Sequence, residues 1–138
     1  MRIFSLASAL LLTLEVASAE QTVVTDDAVN EWEPKTLDLE SFNELVIDLN
    51  SVGGQVKSDK GWFIKFFAPW CGHCQRLAPI WSEFNRLHSD EVNVGLVDCT
   101  TDGGKPLCSK MEVRGYPSLL YFSADHQEGG ATAIKYQG

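Results

Sequence analysis

Phe66-Phe67-Ala68-Pro69-Trp70-Cys71-Gly72-His73-Cys74-Gln75-Arg76-Leu77-Ala78-Pro79 is the stretch on which the reading of this chain turns. Before it, Trp62 to Ala68 is apolar without alternation, which predicts a strand buried on both faces and ended by Pro69. After it, Leu77, Ile80, Trp81, Phe84 and Leu87 recur at helical spacing. They predict a helix from Cys71 to about His88, kinked where Pro79 interrupts it. Two cysteines with two residues between them therefore stand where a buried strand gives way to a helix. A thiolate there faces unpaired backbone N–H groups and the positive end of the helix dipole. Both favour the anion, so the Cys71 thiol should ionise more readily than a free thiol. His73 adds a hydrogen bond or a positive charge nearby. Stabilising the thiolate favours the reduced form, which makes the disulfide a better oxidant. The spacing also lets Cys74 reach back and resolve a mixed disulfide on Cys71. A bare CxxC reads equally as half a zinc site or an inert local disulfide, so its placement carries the argument.

Working outward, Thr36 to Leu39 is a short strand candidate. Ser41 is placed to cap a helix with Glu44 as its capping-box partner, followed by Phe42, Leu45, Val46 and Leu49. Asn50 to Gly61 is a loop broken at Gly53-Gly54. Val92 to Val97 is a second apolar strand, Thr100 to Gly104 a turn, and Pro106 to Met111 a short helix. Ser118 to Phe122 is a third apolar strand. Asp125 to Gly130 reads as a hairpin loop and Ala131 to Tyr136 as the returning strand. The order β-α-β-α-β-α-β-β predicts an α/β fold: parallel strands with helices on the faces, and an antiparallel edge from the closing hairpin.

The chain has 138 residues, 44% hydrophobic and 22% charged, enough for one globular domain. A net charge of -8 offers no basic footprint for nucleic acid or anionic lipid. Residues 1–19 read as a cleaved signal peptide: Arg2, an apolar run from Ile3 to Leu14, then Ala17-Ser18-Ala19. That run is too short to span a bilayer, and no membrane contact is expected after cleavage. Residues 20–34 form an acidic leader, and residues 35–138 the domain. A secretory address opens a structural reading for the four cysteines, Cys71, Cys74, Cys99 and Cys108. The turn residues Asp102-Gly103-Gly104 let Cys99 and Cys108 meet in a disulfide. The alternatives are a four-cysteine zinc site with Cys71 and Cys74, and a pair that passes electrons to them. His88 and His126 have no partner at ligand spacing, so no metal is expected.

The quoted stretch resembles the active-site segment of protein disulfide isomerases, within the thioredoxin superfamily. Val113-Arg114-Gly115-Tyr116-Pro117-Ser118 resembles the family's second signature. The resemblance covers residues 35–138 and implies a thioredoxin-like fold, a central mixed sheet flanked by helices. It makes Cys71 the attacking, solvent-exposed cysteine and Cys74 the buried resolver, with Gly72 and His73 between them. It puts Pro117 in the cis form beside the disulfide, with Trp70 and Tyr116 flanking the substrate site. The implied activity is thiol–disulfide exchange on folding secretory proteins in the endoplasmic reticulum lumen, or outside the cell. The implied partners are client polypeptides with thiols or disulfides and an upstream oxidase, and no cofactor is needed. A rival of another class is a redox-inert peptide-binding or chaperone module using the same cleft.

Three departures stand out. Lys65 occupies the place of the family's buried carboxylate, and Leu96 that of its lysine partner. Lys65 is therefore a candidate tuning residue, unless it snorkels outward. Gln75 replaces the common lysine after the second cysteine. The Cys99/Cys108 spacing also resembles the first thioredoxin-like domain of quiescin sulfhydryl oxidases, which makes a fragment of such a protein an alternative. Tyr136-Gln137-Gly138 resembles the family's last strand, after which a final helix is usual. The expectation is a domain without that helix, either a fragment or a chain with one apolar sheet face open.

Overall fold

The computed structural model describes residues 32–125 and 133–136. They form β1 (Lys35–Thr36), α1 (Leu39–Leu45), β2 (Trp62–Phe67), α2 (Gly72–His88), β3 (Asn93–Asp98), α3 (Gly104–Lys110), β4 (Ser118–Phe122) and β5 (Ala133–Lys135). The stretch expected to be a signal peptide, most of the expected leader, and residues 126–130 of the expected hairpin loop, His126 among them, lie outside the described residues.

One five-stranded sheet runs in the order β1-β3-β2-β4-β5, with helices on both faces. β3 is parallel to β1 and β2, while β4 is antiparallel to both β2 and β5. The reversal thus comes one strand earlier than the alternating pattern predicts. Helix length explains it. The seven residues of α3 rise only about 10 Å, roughly half the length of β3, so α3 cannot carry the chain back across the sheet. The chain instead enters β4 with Ser118 beside Phe66, near the end of β2.

Alternation along β2 sends its side chains to two different environments. Ile64 and Phe66 point toward α1 and α3 and pack with Phe42, Val46, Val97 and Leu107 in the buried core. Phe42 meets Phe122 edge to face at 5.4 Å. On the opposite face Phe63 packs against Trp81 at 4.8 Å and Phe84 at 5.7 Å. The Trp81 indole N–H donates to the Gly95 carbonyl at 3.1 Å, which fixes α2 over β3.

Two local expectations are corrected. Asp38, not Ser41, is the N-cap of α1: its carboxylate accepts the Ser41 N–H at 2.8 Å, and Ser41 Oγ accepts the Asp38 N–H at 2.9 Å. Ser41 is therefore the third helical residue of a reciprocal box, and Glu44 plays no part in it. The α2 stripe is also narrower than its periodicity suggests. Trp81 is buried, but Ile80 and Leu87 are 63% and 57% exposed. Seven residues apart, they share a flank of the helix that turns away from the sheet. The helix itself runs unbroken through Pro79.

Beside β5, Phe63, Phe84, Val92, Tyr121, Ile134 and Tyr136 line an open apolar groove. Among the described residues, no helix is long and apolar enough to cross a membrane. On the other side of the sheet, Cys99 and Cys108 are disulfide-bonded and tie the end of β3 to α3. The helix can start this close because residue 104 is glycine: a Cβ there would collide with the Asp98 carbonyl. Replacing both cysteines by alanine should lower unfolding stability by about 2–3 kcal/mol in denaturant titration, the loop-closure contribution of so short a ring. Asp38→Ala should cost about 1 kcal/mol in the same experiment. Unchanged midpoints would contradict these assignments.

Candidate active site

The end of β2 builds the site. Ala68 is fully buried, and its carbonyl accepts the Cys71 N–H at 3.1 Å, closing a turn over Pro69 and Trp70. Gln75 Nε2 donates to the Pro69 carbonyl at 2.8 Å and braces that turn. Cys71 then becomes the N-cap of α2, in extended conformation, and its sulfur accepts the Cys74 N–H at 3.2 Å. Both thiols are free, and with Ala68 they form a small cluster against Phe67 and Tyr116.

This geometry separates the two thiols electrostatically. Cys71 is held below the ordinary thiol range, chiefly by a hydrogen bond from the Cys74 thiol. The backbone N–H groups of Cys74 and His73 and the charge of Arg76 act in the same direction, and burial opposes them. Cys74 is pushed up, first by burial and then by donating its proton to Cys71. One thiol is thus prepared as a nucleophile, while the other keeps its proton. Cys71 is less open than an attacking cysteine was expected to be. Its residue exposure is 7%, against 3% for Cys74, because the capping contact folds its sulfur onto the helix end. A Cβ at residue 72 would meet only the Arg76 guanidinium, at 3.7 Å.

Arg76 is the member of the site that the motif did not reveal. Its Nη2 lies 2.8 Å from His73 Nδ1. A guanidinium has only donors, so Nδ1 is the acceptor in this contact. The positive charge that acts on Cys71 is that of Arg76. The available signal was spacing alone: three residues from His73 puts Arg76 on the same helix face.

Across the cleft, the Tyr116–Pro117 bond is cis. Trp70 is 72% exposed and meets half-buried Tyr116 edge to face at 5.8 Å. Ser118 Oγ donates to the Gly115 carbonyl at 2.7 Å and holds the turn before β4. Trp70, Tyr116 and Pro117 thus form one rim beside the dithiol. Lys65 does not snorkel outward. It is 3% exposed, and its Nζ lies over the rings of Phe67 and Trp81 at 5.6 and 5.7 Å. Its strand partners are Leu96 and Leu119. Cys99 and Cys108 are bonded to each other and so offer Cys71 and Cys74 no thiolates for a shared metal site. His88 stacks on Phe84 and lies 3.8 Å from Glu91. Among the described residues, no three His, Cys, Asp or Glu side chains converge as metal ligands would.

A dithiol capping a helix, beside a cis-proline, on a β1-β3-β2-β4-β5 sheet defines a thioredoxin-type site. The thioredoxin family model matches residues 34–138, and the chain belongs to that family. Within it, similar proteins include several that are disulfide isomerase-like. Protein disulfide isomerase-like 5-1 of Oryza sativa subsp. japonica is 33% identical over 127 residues, covering 91% of this chain and 76% of its own length. Protein disulfide-isomerase-like protein EhSep2 of Emiliania huxleyi is 46% identical over 92 residues, 65% of this chain and 37% of that protein. The chain spans only 20% of protein disulfide isomerase-like 2-3 of Oryza sativa subsp. japonica, so some relatives are much longer. Among solved structures, ERdj5 form I superposes with a TM-score of 0.65 at 28% identity, covering 81% of this chain and 14% of that one. The J-Trx1 fragment of ERdj5 gives 0.60 at 32% identity, covering 79% and 44%.

The Arg76 assignment predicts a specific kinetic change. With its pKa lowered, wild-type Cys71 stays a thiolate at acidities that protonate an ordinary cysteine. Arg76→Gln should slow Cys71 alkylation below neutral pH by about two- to threefold, as for an exposed charge contact, and leave the alkaline plateau unchanged. Superimposable pH profiles would remove Arg76 from the site.

Proposed function

We propose that this chain is a thiol–disulfide oxidoreductase that makes, breaks and rearranges disulfides in client polypeptides of the secretory pathway. The observation that carries the reading is the Cys71 sulfur: it caps α2, accepts the Cys74 N–H, and lies beside the Trp70–Tyr116–Pro117 rim.

In reduction, the Cys71 thiolate attacks a client disulfide and one client sulfur leaves as a thiolate; Cys74 then attacks Cys71, which closes their disulfide and frees the second client sulfur. In isomerisation the freed client thiolate instead attacks another client disulfide, and the client thiolate displaced last expels Cys71 as a thiolate, with no net oxidation or reduction. In oxidation, a client thiolate attacks the Cys71–Cys74 disulfide at Cys71 and Cys74 leaves. A second client thiolate then displaces Cys71 and takes the new disulfide with it. Resetting the oxidised form needs an electron acceptor, which is the role of an upstream oxidase. Gly72 and His73 shape the turn between the sulfurs, and the exposed Trp70 ring offers clients an apolar contact. None of these exchanges draws on a metal or organic group.

The secretory setting, in the endoplasmic reticulum lumen or outside the cell, is supported by the signal-like residues 1–19 and by the Cys99–Cys108 bond, a type that persists in oxidising compartments. Residues 20–34 are read as a leader and 35–138 as the working domain.

The test compares wild type with Cys71→Ser in insulin reduction and scrambled-ribonuclease refolding. Activity should fall to background in the variant. Equal activity would overturn the enzyme reading in favour of a redox-inert binding module on the same rim.

A further inference from the structure

We propose that Arg76, with Arg114 on the loop before Tyr116, selects clients whose reacting cysteine is flanked by carboxylates. The inference rests on the proposed exchange activity and names the class of client that the site takes.

Two segments build the site. Residues 66–82 run from the end of β2 through the dithiol into α2, and residues 113–124 carry the Tyr116–Pro117 turn and β4. The chain holds 19 Asp and Glu against 11 Lys and Arg, yet neither segment contains a carboxylate. Their charged side chains are Arg76 and Arg114, with His73 beside the first. Of the acidic residues next to them, Glu83 is bound by Arg86 Nε and Nη2 at 2.8 and 2.6 Å. Asp98, which stands opposite Phe67, turns its Oδ1 to the N–H and hydroxyl of Thr100 at 2.8 and 2.7 Å. Glu112 belongs to the turn that ends α3, where its N–H donates to the Ser109 carbonyl at 3.1 Å. An acidic chain thus builds its dithiol site from segments whose only formal charges are positive.

The guanidinium of Arg76 is held at the reacting sulfur. Its Nη2 lies 2.8 Å from His73 Nδ1, and its Nη1 is the atom that a Cβ on Gly72 would meet, at 3.7 Å. It therefore lies over the residue that follows Cys71, and it is exposed. A guanidinium carries five N–H donors, of which the imidazole takes one. Among the described residues Arg76 forms no salt bridge, so the rest of its fork is open to a carboxylate. The His73 contact also fixes the side chain in advance, which lowers the cost of ordering it on a client. On the opposite rim, Trp70 and Tyr116 meet at 5.8 Å and offer apolar contact. Arg114 is exposed two residues before Tyr116 and likewise forms no salt bridge among the described residues. An extended client advances about 3.3–3.6 Å per residue, so the side chains next to its cysteine are the ones that Arg76 can meet.

Selection of this kind leaves the exchange step itself unaltered. The Cys71 thiolate attacks the client sulfur, the client S–S bond breaks, and the other sulfur leaves with the electron pair. The carboxylate acts before that step, by pairing with Arg76 as the client docks. Two opposite preferences then compete. The net charge of -8 favours basic clients at long range, and salt weakens that pull beyond about 8 Å. At contact the arginines favour acidic clients, by about two- to fivefold for an exposed pair.

The test uses peptides with one cysteine flanked by Asp, Ser or Lys, each activated as a pyridyl disulfide. Release of the aromatic thiol is followed on mixing with the reduced protein at physiological ionic strength. The pH is set high enough that Cys71 is fully ionised. Each protein is compared with itself across the peptides, so any change in the acidity of Cys71 cancels. Wild type should react faster with the Asp peptide than with the Lys peptide, and the difference should fade as salt rises. Arg76→Gln should lower the Asp-to-Lys rate ratio about two- to fivefold, and Arg114→Gln should lower it as well. Both side chains are exposed, so neither variant removes a core contact. An unchanged ratio in Arg76→Gln, or a wild-type preference for the Lys peptide, overturns the inference and leaves the exchange activity standing. Failure of the wild type to release the aromatic thiol from any of the peptides overturns the proposed function together with it.

Discussion

The contact on which the site depends is the hydrogen bond from the Cys74 N–H to the Cys71 sulfur at 3.2 Å. It exists only because β2 stops where it does. Six residues of buried strand lead into Ala68, which has no exposure and whose carbonyl turns the chain at Cys71. The ladder extends past the strand through the Cys99 N–H to the Phe67 carbonyl at 2.9 Å, so the turn starts from a fixed edge. Move that edge by one residue and the sulfur no longer meets the helix end. The reactivity of Cys71 is thus set by strand burial, with the thiol itself contributing only its chemistry. A thiolate collects these hydrogen bonds and a disulfide sulfur does not, so the contact favours the reduced state and makes the oxidised state reactive.

Much of this was legible in the sequence, for physical reasons. β2 and α2 announce themselves by an unbroken apolar run and a 3.6-residue periodicity, and the cysteines sit at their junction. The direction of β4 was not legible, because composition marks a helix without saying whether it is long enough to cross the sheet. The cap of α1 was misread because Asp38 and Ser41 both satisfy the preference, three residues apart, and only their reciprocal hydrogen bonds show which stands outside the helix. Periodicity likewise placed Ile80 and Leu87 on an apolar stripe without showing what the stripe would meet. Lys65 was the hardest residue to read: a lysine in an apolar strand is ambiguous until pairing with Leu96 and Leu119 puts it at the centre of the sheet.

The two faces of that sheet do different work. Toward α1 and α3 it is a closed core of Phe42, Ile64, Phe66, Val97 and Leu107, clamped by the Cys99–Cys108 bond. Toward α2 it is aromatic and only partly closed, with Phe63 and Phe84 half-buried and the groove beside β5 open. Both cysteines and Lys65 belong to this second face or its rim. The closed side holds β2 in place, and the open side carries the two site cysteines.

Charge is organised against the average of the chain. The protein carries a net charge of -8, which by itself disfavours a thiolate anion. Yet among the described residues the charged side chains that act on the site cysteines are basic: Arg76 favours the Cys71 anion and a charged Lys65 the Cys74 anion. At physiological ionic strength, exposed charges more than about 8 Å apart are largely screened, while a buried charge is screened much less. At the sulfurs these nearby charges act after the Cys74–Cys71 hydrogen bond and burial, and the acidic surface acts at longer range.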